Sequence, residues 1–275
     1  MAAATVELLI RPRRGWQPVD LRELWQYREL LGFLIWRDIK VRYKQTILGG
    51  LWALLQPLIG TLVFGILFTA VAPIRSDGSP YPLFVYVGLV AWTFFANALA
   101  LSSNSLIGSE QMIRKTYLPR VLIPLGTILA LGIDMVIGFA LTSILLIHYR
   151  TPLTYAALLV PVFMAISFMV ASGIGLILSA LNVRYRDIKY VVPFFTQMAF
   201  FLTPVVYPLS RIPQKLKLFM FLNPMAGIIE GFRHALIGSA PVWPIIWVSC
   251  VSSLAFFITG LFVFRRMERT FADTI

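Results

Sequence analysis

Charged residues are scarce in this sequence: they make up 13% of its 275 residues, whereas 59% of the residues are hydrophobic. A soluble domain carries roughly a quarter of its residues as Asp, Glu, Lys or Arg, because these side chains face water. The mean hydropathy of +0.81 indicates that lipid, rather than water, surrounds much of the surface. The composition therefore predicts an integral membrane protein.

Cysteine, histidine and the motifs of common catalytic sites are also scarce. Cys250 is the one cysteine in the sequence, so the chain forms no internal disulfide and no cysteine-rich metal site. We interpret His148 and His234 as packed or interfacial residues. No G-x-x-x-x-G-K-[ST], H-E-x-x-H or G-x-S-x-G motif occurs, which excludes a phosphate-binding loop of that kind. We therefore expect no enzyme activity, no cofactor and no metal in this chain.

The net charge of +12 is, in a soluble protein, typical of nucleic-acid binding. Here the basic residues flank the apolar stretches instead of clustering on one folded face, so we predict a membrane partner and no nucleic acid. The first 46 residues hold nine basic residues and no long apolar run. This is not the pattern of a cleavable signal peptide, and we expect the N terminus to stay in the cytoplasm.

Six stretches have the roughly 20 apolar residues that a helix needs to cross about 30 Å of hydrocarbon. They are residues 47–71, 83–107, 121–147, 155–181, 190–209 and 242–264. The prediction is an all-α protein with six transmembrane helices at 47–264. A cytoplasmic N-terminal segment (1–46) precedes this domain, and a cytoplasmic tail (265–275) follows it.

The distribution of Lys and Arg predicts the orientation of these spans. Nine basic residues precede the first span, and three lie in each of the second and fourth connections and in the tail. The other side holds the remaining six, which are Arg75, Arg150, Arg211, Lys215, Lys217 and Arg233. Basic residues concentrate on the cytoplasmic side of membrane proteins, so we expect both termini in the cytoplasm.

The segment before the first span, Asp20 to Lys44, has the pattern of an amphipathic interface helix. Asp20 and Glu23 have the spacing of a capping box. Apolar residues fall within about a third of the helical circumference, opposite Arg37, Lys40 and Lys44. Such a helix lies along the cytoplasmic surface of the bilayer, near anionic lipid heads. A helix that packs only against protein remains the alternative.

The connection between the fifth and sixth spans, residues 210–240, is too apolar for a solvated loop. Pro213 and the Asn223–Pro224 pair divide it, and proline favours the first turn of a helix. We predict two short re-entrant helices here. Irregular backbone at membrane depth persists only where protein or a water-filled cavity covers it, so this segment is expected to line an external mouth.

Asp134 is the one acidic residue inside a predicted span. A carboxylate there is costly and usually faces the bundle interior or a polar cavity. It is either a contact for a proton or substrate, or a carboxyl group hydrogen-bonded to a neighbouring helix. One acid alone makes a poor proton relay, and we favour the second interpretation.

Aromatic residues are dense in the spans. Most of them are expected to pack or to lie at the membrane interface, but rings around a pore also offer flat apolar faces to sugars. The candidates for such a channel are Phe64, Phe68, Trp92, Phe94, Phe95, Phe194, Phe195, Phe200, Phe201 and Tyr207.

The first predicted inner connection, Gly108 to Arg120, reads as a short polar helix stopped by Pro119. It is too short to be a domain. A cytoplasmic helix in this position is one on which a soluble partner could push.

Five stretches, in this order and spacing, resemble the permease subunit of ABC type-2 polysaccharide exporters, the O-antigen, capsule and teichoic-acid group. The resemblance extends over nearly the whole chain from about residue 11. The stretches are WRDIKVRYKQTILGGLWALLQPL (36–58), IRKTYLPRVLIP (113–124), LNVRYRDIKYVVPF (181–194), FLTPVVYP (201–208) and LNPMAGIIEGFR (222–233).

The resemblance implies a homodimer that encloses a channel in the bacterial inner membrane, with two copies of a separate ATPase subunit that binds ATP and Mg. It implies export of a polysaccharide attached to undecaprenyl pyrophosphate. Its coupling helix to the ATPase corresponds to 108–119, with Glu110, Gln111, Arg114, Lys115, Thr116 and Tyr117 as contacts. Its external gate corresponds to 210–238, with Pro213, Asn223, Pro224, Glu230 and Arg233. Near the cytoplasmic entrance, Arg37, Arg42 and Lys44 are candidates for attracting the lipid phosphates, or serve topology alone.

Three other functions stay open at this point. A related permease of the same architecture could move a smaller lipid or a drug. A membrane-embedded glycan-processing enzyme would need catalytic acids that the sequence does not offer. A scaffold that only anchors a partner would need neither Asp134 nor a re-entrant segment.

Overall fold

The computed structural model describes residues 25–44, 50–70, 79–115, 118–268 and 271. Its regular elements are helices, as the sequence predicts, and no strand occurs within these ranges. The helices are α1 (Arg28–Tyr43), α2 (Leu51–Ala70), α3 (Tyr81–Gly108), α4 (Glu110–Lys115), α5 (Leu122–His148), α6 (Val160–Arg184), α7 (Ile188–Leu202), α8 (Gln214–Leu222), α9 (Pro224–Ile237) and α10 (Trp243–Met267). The predicted start of the interface helix at Asp20, and the candidates Thr116 and Tyr117, lie outside the described residues.

Five helices of the described chain are long and apolar enough to cross a membrane: α2, α3, α5, α6 and α10. They correspond to the first, second, third, fourth and sixth predicted spans. The longest, α3, has 28 residues and extends over about 42 Å at a rise of 1.5 Å per residue. The structure thus supports a multi-pass arrangement built from five full-length helices.

The predicted fifth span, 190–209, is a shorter helix followed by an irregular segment. Helix α7 has 15 residues, about 22 Å at 1.5 Å each, and ends at Leu202. Thr203 is extended, with φ −99° and ψ 139°, because Pro204 disfavours the helical conformation of the residue before it. The six-span count is therefore not reproduced as six full-length helices.

Helix α3 lies at the centre of the bundle and packs against α2, α5, α6, α7 and α9. Within the apolar windows of the spans, 78% of the α3 residues are buried but only 11% of the α2 residues. Helix α7 is similar to α2, since Val192 is its one buried residue. Helices α2 and α7 therefore leave broad apolar faces uncovered in the single chain.

Helices α6 and α10 touch backbone to backbone. A Cβ atom added to Gly260 would lie 2.3 Å from the carbonyl oxygen of Gly173, and one added to Gly173 would lie 2.4 Å from the carbonyl of Phe256. Small residues allow such close crossings between membrane helices, where packing replaces the hydrophobic effect as the attractive force. Glycine at 173 and 260 is thus required by the distance between the helices.

One end of the bundle carries Arg37, Arg114, Arg184 and Arg265 and is called here the basic end. An apolar cluster closes this end and joins α1, α4 and the ends of α3, α5, α6 and α10. Its buried members include Leu34, Leu106, Leu122, Phe264 and Phe271. Arg120 donates to the carbonyl of Glu268 over 2.8 Å and lies against the ring of Phe271. The predicted tail therefore begins as a continuation of α10 and packs against the protein at Phe271.

We expect Gly173→Ala to destabilise the protein by about 1–3 kcal/mol, the usual range for forcing an extra methyl group into a filled contact. The measurement is the thermal unfolding midpoint of the purified protein in detergent. Gly32→Ala is the matched control, because a Cβ atom at Gly32 meets nothing within 4 Å. Equal midpoints for the two variants would contradict the proposed role of the crossing.

Candidate functional site

A row of polar contacts, called here the α1–α5 seam, joins the helix before the first span to the third span. Thr127 donates to Asp38 over 2.8 Å, and Arg42 donates to Asp134 over 2.9 Å. The hydroxyl of Tyr43 donates to the second carboxylate oxygen of Asp134. Asp38 and Arg42 are one helical turn apart, and Thr127 and Asp134 are two turns apart, so each pair lies on one helix face.

The seam accounts for the lone carboxylate in the membrane-spanning part of the sequence. Asp134 is hydrogen-bonded, as the favoured interpretation has it, but its partners come from α1 rather than from another span. Both members of the Arg42–Asp134 pair are largely buried, with side chains 25% and 21% exposed. The ion pair therefore attaches α1, which carries the positive charge, to α5, which carries the negative charge.

Burial, followed by the hydrogen bond to Asp134, raises the pKa of Tyr43 to about 12. Tyr43 precedes the first span. At neutral pH its phenol stays protonated, so it remains a hydrogen-bond donor to the carboxylate.

Two of the three candidate phosphate-binding residues have carboxylate partners. Arg42 pairs with Asp134, and Arg37 pairs with Asp38 over 2.8 Å and also contacts the sulfur of Met112 in α4. Lys44 is exposed. Arg42 thus holds α1 against α5, while Arg37 contacts its neighbour Asp38 and Met112 of α4. Attraction of lipid phosphates by the three residues stays a prediction.

A cavity of about 390 Å³ lies beside the seam, between α1, α2, α3 and α5. Its polar lining comes from all four helices: Arg42, Tyr43, Gln56, Thr93, Asn97 and Asp134. Trp52, Pro57, Val90, Phe94, Leu131 and Met135 supply most of the apolar lining. Arg42 and Asp134 are among the residues that the sequence singles out, whereas Gln56, Thr93 and Asn97 are not. These three residues could be recognised in the sequence, because amide and hydroxyl side chains inside apolar spans are costly unless they face a cavity.

Nine of the ten aromatic channel candidates separate into three groups, and the tenth, Tyr207, is half-buried and donates to the carbonyl of Phe201 over 2.9 Å. Trp92, Phe94 and Phe95 are buried in the core, although Phe94 also lines the cavity. Phe64, Phe68 and Phe200 form a half-buried stack between α2 and α7. Phe194, Phe195 and Phe201 are each at least 60% exposed on α7. Only this last group offers open ring faces in the single chain, and a channel role for any of the aromatics stays a prediction.

Arg233 is the largest fully buried side chain at the other end of the bundle. It donates to the carboxylate of Glu230 and to the carbonyl of Pro204, each over 2.8 Å, and to the carbonyls of Val205 and Phe84. Its guanidinium also lies 3.5 Å above the ring of Phe84. The arginine thus satisfies the irregular backbone that follows α7.

Further contacts fix the same segment. Asn223 caps α9 by accepting from the amide of Met225, and its own amide donates to Thr203 over 2.8 Å. Tyr81 donates to the carbonyl of Val206 over 2.8 Å. Proline at 224 occupies the first turn of α9, where its missing N–H costs nothing. The predicted gate residues Asn223, Pro224, Glu230 and Arg233 therefore meet around residues 203–206, whereas Pro213 is exposed before α8.

Helix α4 is a short surface helix at the basic end. Glu110 and Arg114 form an exposed ion pair over 2.8 Å, and Gln111 and Lys115 are exposed. Met112 and Ile113, on the other face, pack against the cluster that contains Leu34 of α1. Helix α4 therefore exposes its polar face, while its apolar face packs against the bundle. Contact of α4 with an ATPase stays a prediction.

We expect a double-mutant cycle of Arg42→Ala and Asp134→Ala to give a coupling energy of about 1 kcal/mol or more, because the two charges are largely buried and in contact. The measurement is hydrogen exchange of the α1 amides, which should speed up in each single variant. The exposed pair Glu110 and Arg114 is the control, for which the same cycle should give at most about 0.5 kcal/mol. Similar coupling in both pairs would refute the role given to the seam.

We expect Arg233→Lys to destabilise the protein by at least about 2 kcal/mol, since an ammonium cannot replace the forked donors that reach a carboxylate and three carbonyls. Thermal unfolding in detergent measures this. Arg211→Lys, an exposed arginine at the same end, should change the midpoint little. If lysine at 233 is tolerated as well as lysine at 211, the buried network is not what holds residues 203–206.

Comparison with known proteins identifies the family of the chain. The family model "ABC-2 type transporter" matches residues 29–237. The O-antigen export system permease protein RfbA of Myxococcus xanthus is 31% identical over 93% of this chain and 98% of its own length. RfbA of Klebsiella pneumoniae is 27% identical, and the capsule polysaccharide export inner-membrane protein CtrC of Neisseria meningitidis is 25% identical; each comparison covers 90% of this chain and 95% of the relative. The chain belongs to the ABC-2 type transporter family, whose permeases are transport subunits that work with ATPase partners.

Proposed function

We propose that this chain is the channel-forming permease of an ATP-driven exporter of surface polysaccharide, either O-antigen or a similar glycan. The observation that carries the proposal is the similarity along nearly its whole length to permeases named for O-antigen and capsule export. The substrate is a glycan linked to undecaprenyl pyrophosphate, and the membrane is the bacterial inner membrane. ATP and Mg are bound by the partner ATPase.

In the proposed membrane arrangement the chain crosses six times, with both termini in the cytoplasm. Helix α7 and the irregular residues 203–208 together make the fifth crossing. The basic end, with Arg37, Arg114, Arg184 and Arg265, is the cytoplasmic end, in line with the charge bias of membrane proteins. Helices α8 and α9 re-enter the outer leaflet. The burial of 13 of the 14 residues of α9 supports this, since re-entrant backbone must be covered by protein.

Two copies of the chain form the exporter, together with two ATPase subunits. The uncovered apolar faces of α2 and α7 support the pairing, because few of their residues are buried in the single chain. Pairing along these faces places Phe194, Phe195 and Phe201 near the common axis. Their rings then offer flat apolar surfaces to sugar units that pass through the channel.

The ATPase acts on α4, the coupling helix. Its exposed polar face fits a groove on a soluble partner, and its inner face contacts α1 through Met112 and Arg37. A push on α4 thereby reaches the α1–α5 seam. Transport requires that nucleotide binding favours one of two arrangements of the spans, and the group around residues 203–206 forms the external gate.

The test is reconstitution of this chain with its ATPase subunits in lipid vesicles, with ATP hydrolysis and transfer of lipid-linked glycan measured together. The proposal predicts a stable complex and ATP-dependent transfer. A chain that forms no complex with any such ATPase, or a complex that transports only a smaller lipid or a drug, contradicts the proposal.

In this assay we expect Glu110→Arg to lower glycan transfer at least about tenfold, the effect of about 1.4 kcal/mol, because it reverses a charge on the proposed contact with the ATPase. Glu110 is 46% exposed at its side chain, so the variant should fold and insert normally. Glu29→Arg, which also reverses an exposed charge near the basic end, is the control and should transfer glycan as the parent does. Normal transfer by Glu110→Arg would remove α4 from the coupling path.

A further inference from the structure

The cavity beside the α1–α5 seam holds polar side chains that have no hydrogen-bond partner within the described part of the chain. Gln56 in α2, and Thr93 and Asn97 in α3, all line it, and no side-chain hydrogen bond is found for any of them. Gln56 is exposed in the single chain, and Thr93 and Asn97 are half-buried. At membrane depth an amide or hydroxyl without a protein partner needs a polar partner from elsewhere. Three such groups around one cavity point to a polar ligand that supplies these hydrogen bonds.

The charge of the lining distinguishes between classes of ligand. Among the described residues that line the cavity, Arg42 and Asp134 are the charged ones, and they neutralise one another across 2.9 Å. An anion such as a phosphate would have to displace the carboxylate from Arg42 and would then lie beside it. A neutral ligand meets no such repulsion.

The remaining groups fit a sugar ring. Amide side chains both donate and accept hydrogen bonds, as sugar hydroxyls do. The indole of Trp52, half exposed at the edge of the cavity, adds a flat apolar face with one polar atom. The volume of about 390 Å³ lies within the range of roughly 300–1,000 Å³ found for small-molecule sites.

We propose that this cavity binds one neutral sugar unit of the transported glycan, through Gln56, Thr93 and Asn97 with Trp52 against the ring. The inference rests on the proposed function, since it places part of that substrate at a defined site. In this proposal the Arg42–Asp134 ion pair has a second effect besides holding α1 to α5. The pair keeps the cavity lining neutral and so disfavours binding of the phosphate end of the same substrate.

The single cysteine makes a direct test possible. Cys250→Ser removes the one thiol of the sequence, and Gln56→Cys or Asn97→Cys then places a thiol in the cavity. The complex with its ATPase is reconstituted in nanodiscs, and the rate of modification by a hydrophilic thiosulfonate reagent is measured. The probes are the oligosaccharide released by mild acid from the host's own surface polysaccharide, and inorganic pyrophosphate. Gln26→Cys, which replaces an exposed glutamine away from the cavity, is the matched control.

We expect the oligosaccharide at ten times its Kd to slow modification at 56 and 97 about tenfold, since protection follows 1 + [L]/Kd. Pyrophosphate should have no effect, and Gln26→Cys should react equally under all conditions. Protection by pyrophosphate alone overturns the proposal in favour of a phosphate site. Thiols that react in the single chain but not in the assembled complex without a probe overturn it too, because a second protomer then fills the cavity.

Glycan transfer is then measured on the same complex after it has been moved from nanodiscs to vesicles. This measurement distinguishes the inference from the proposed function. If the parent complex transfers glycan but the oligosaccharide gives no protection at 56 or 97, the sugar site is wrong and the export function stands. If the oligosaccharide protects both positions but no glycan is transferred, the site stands and the export function fails. Gln56 is exposed, so its variant should fold even if Asn97→Cys does not.

Discussion

Polar groups that lie in lipid must find their partners within the protein, and the structure around residues 203–206 depends on this constraint. Pro204 and Pro208 end the helical part of the fifth predicted span early, which frees backbone carbonyls that a helix would satisfy. Arg233 reaches those of Pro204 and Val205, and Tyr81 reaches that of Val206. Helix α9 must therefore be buried, because it carries the arginine, and Glu230 must accompany it to balance the charge. The short span, the buried helix and the ion pair are consequences of one requirement.

The same constraint operates at the basic end with a different result. Asp134 and Thr127 on α5 find their partners on α1, a helix outside the spans. A surface helix is thereby fixed to the bundle by charge and hydrogen bonds, while its outer face keeps exposed aromatic residues such as Phe33 and Trp36. Helix α1 packs against protein on one face and exposes apolar residues on the other, and its position along a bilayer surface stays a prediction.

Much of the fold could be predicted from composition and periodicity, because spans of 20 apolar residues leave few alternatives to a helix. The pairing of Asp134 could be predicted only in part. A carboxylate in a span requires a partner, but residues 92 positions apart in the chain give no local signal that Arg42 provides it. The exposed and buried aromatics could not be distinguished either, since Phe94 and Phe195 stand in equally apolar stretches of sequence and differ only in whether a neighbouring helix covers the ring. The burial of Arg233 was missed for the same reason: a basic residue near a predicted loop indicates topology unless the acceptors around it are known.

The backbone contact between α6 and α10 limits which parts of the molecule can move. Phe256 and Gly260 are one turn apart on α10, and both meet Gly173. Sliding α10 along α6 by about 5.4 Å, one helical turn, would bring a side chain to the place where only a glycine fits. These two helices therefore cannot slide along one another, and together they form one rigid unit. A change of shape during the working cycle has to be carried by the loosely held α2 and α7, few of whose residues are buried.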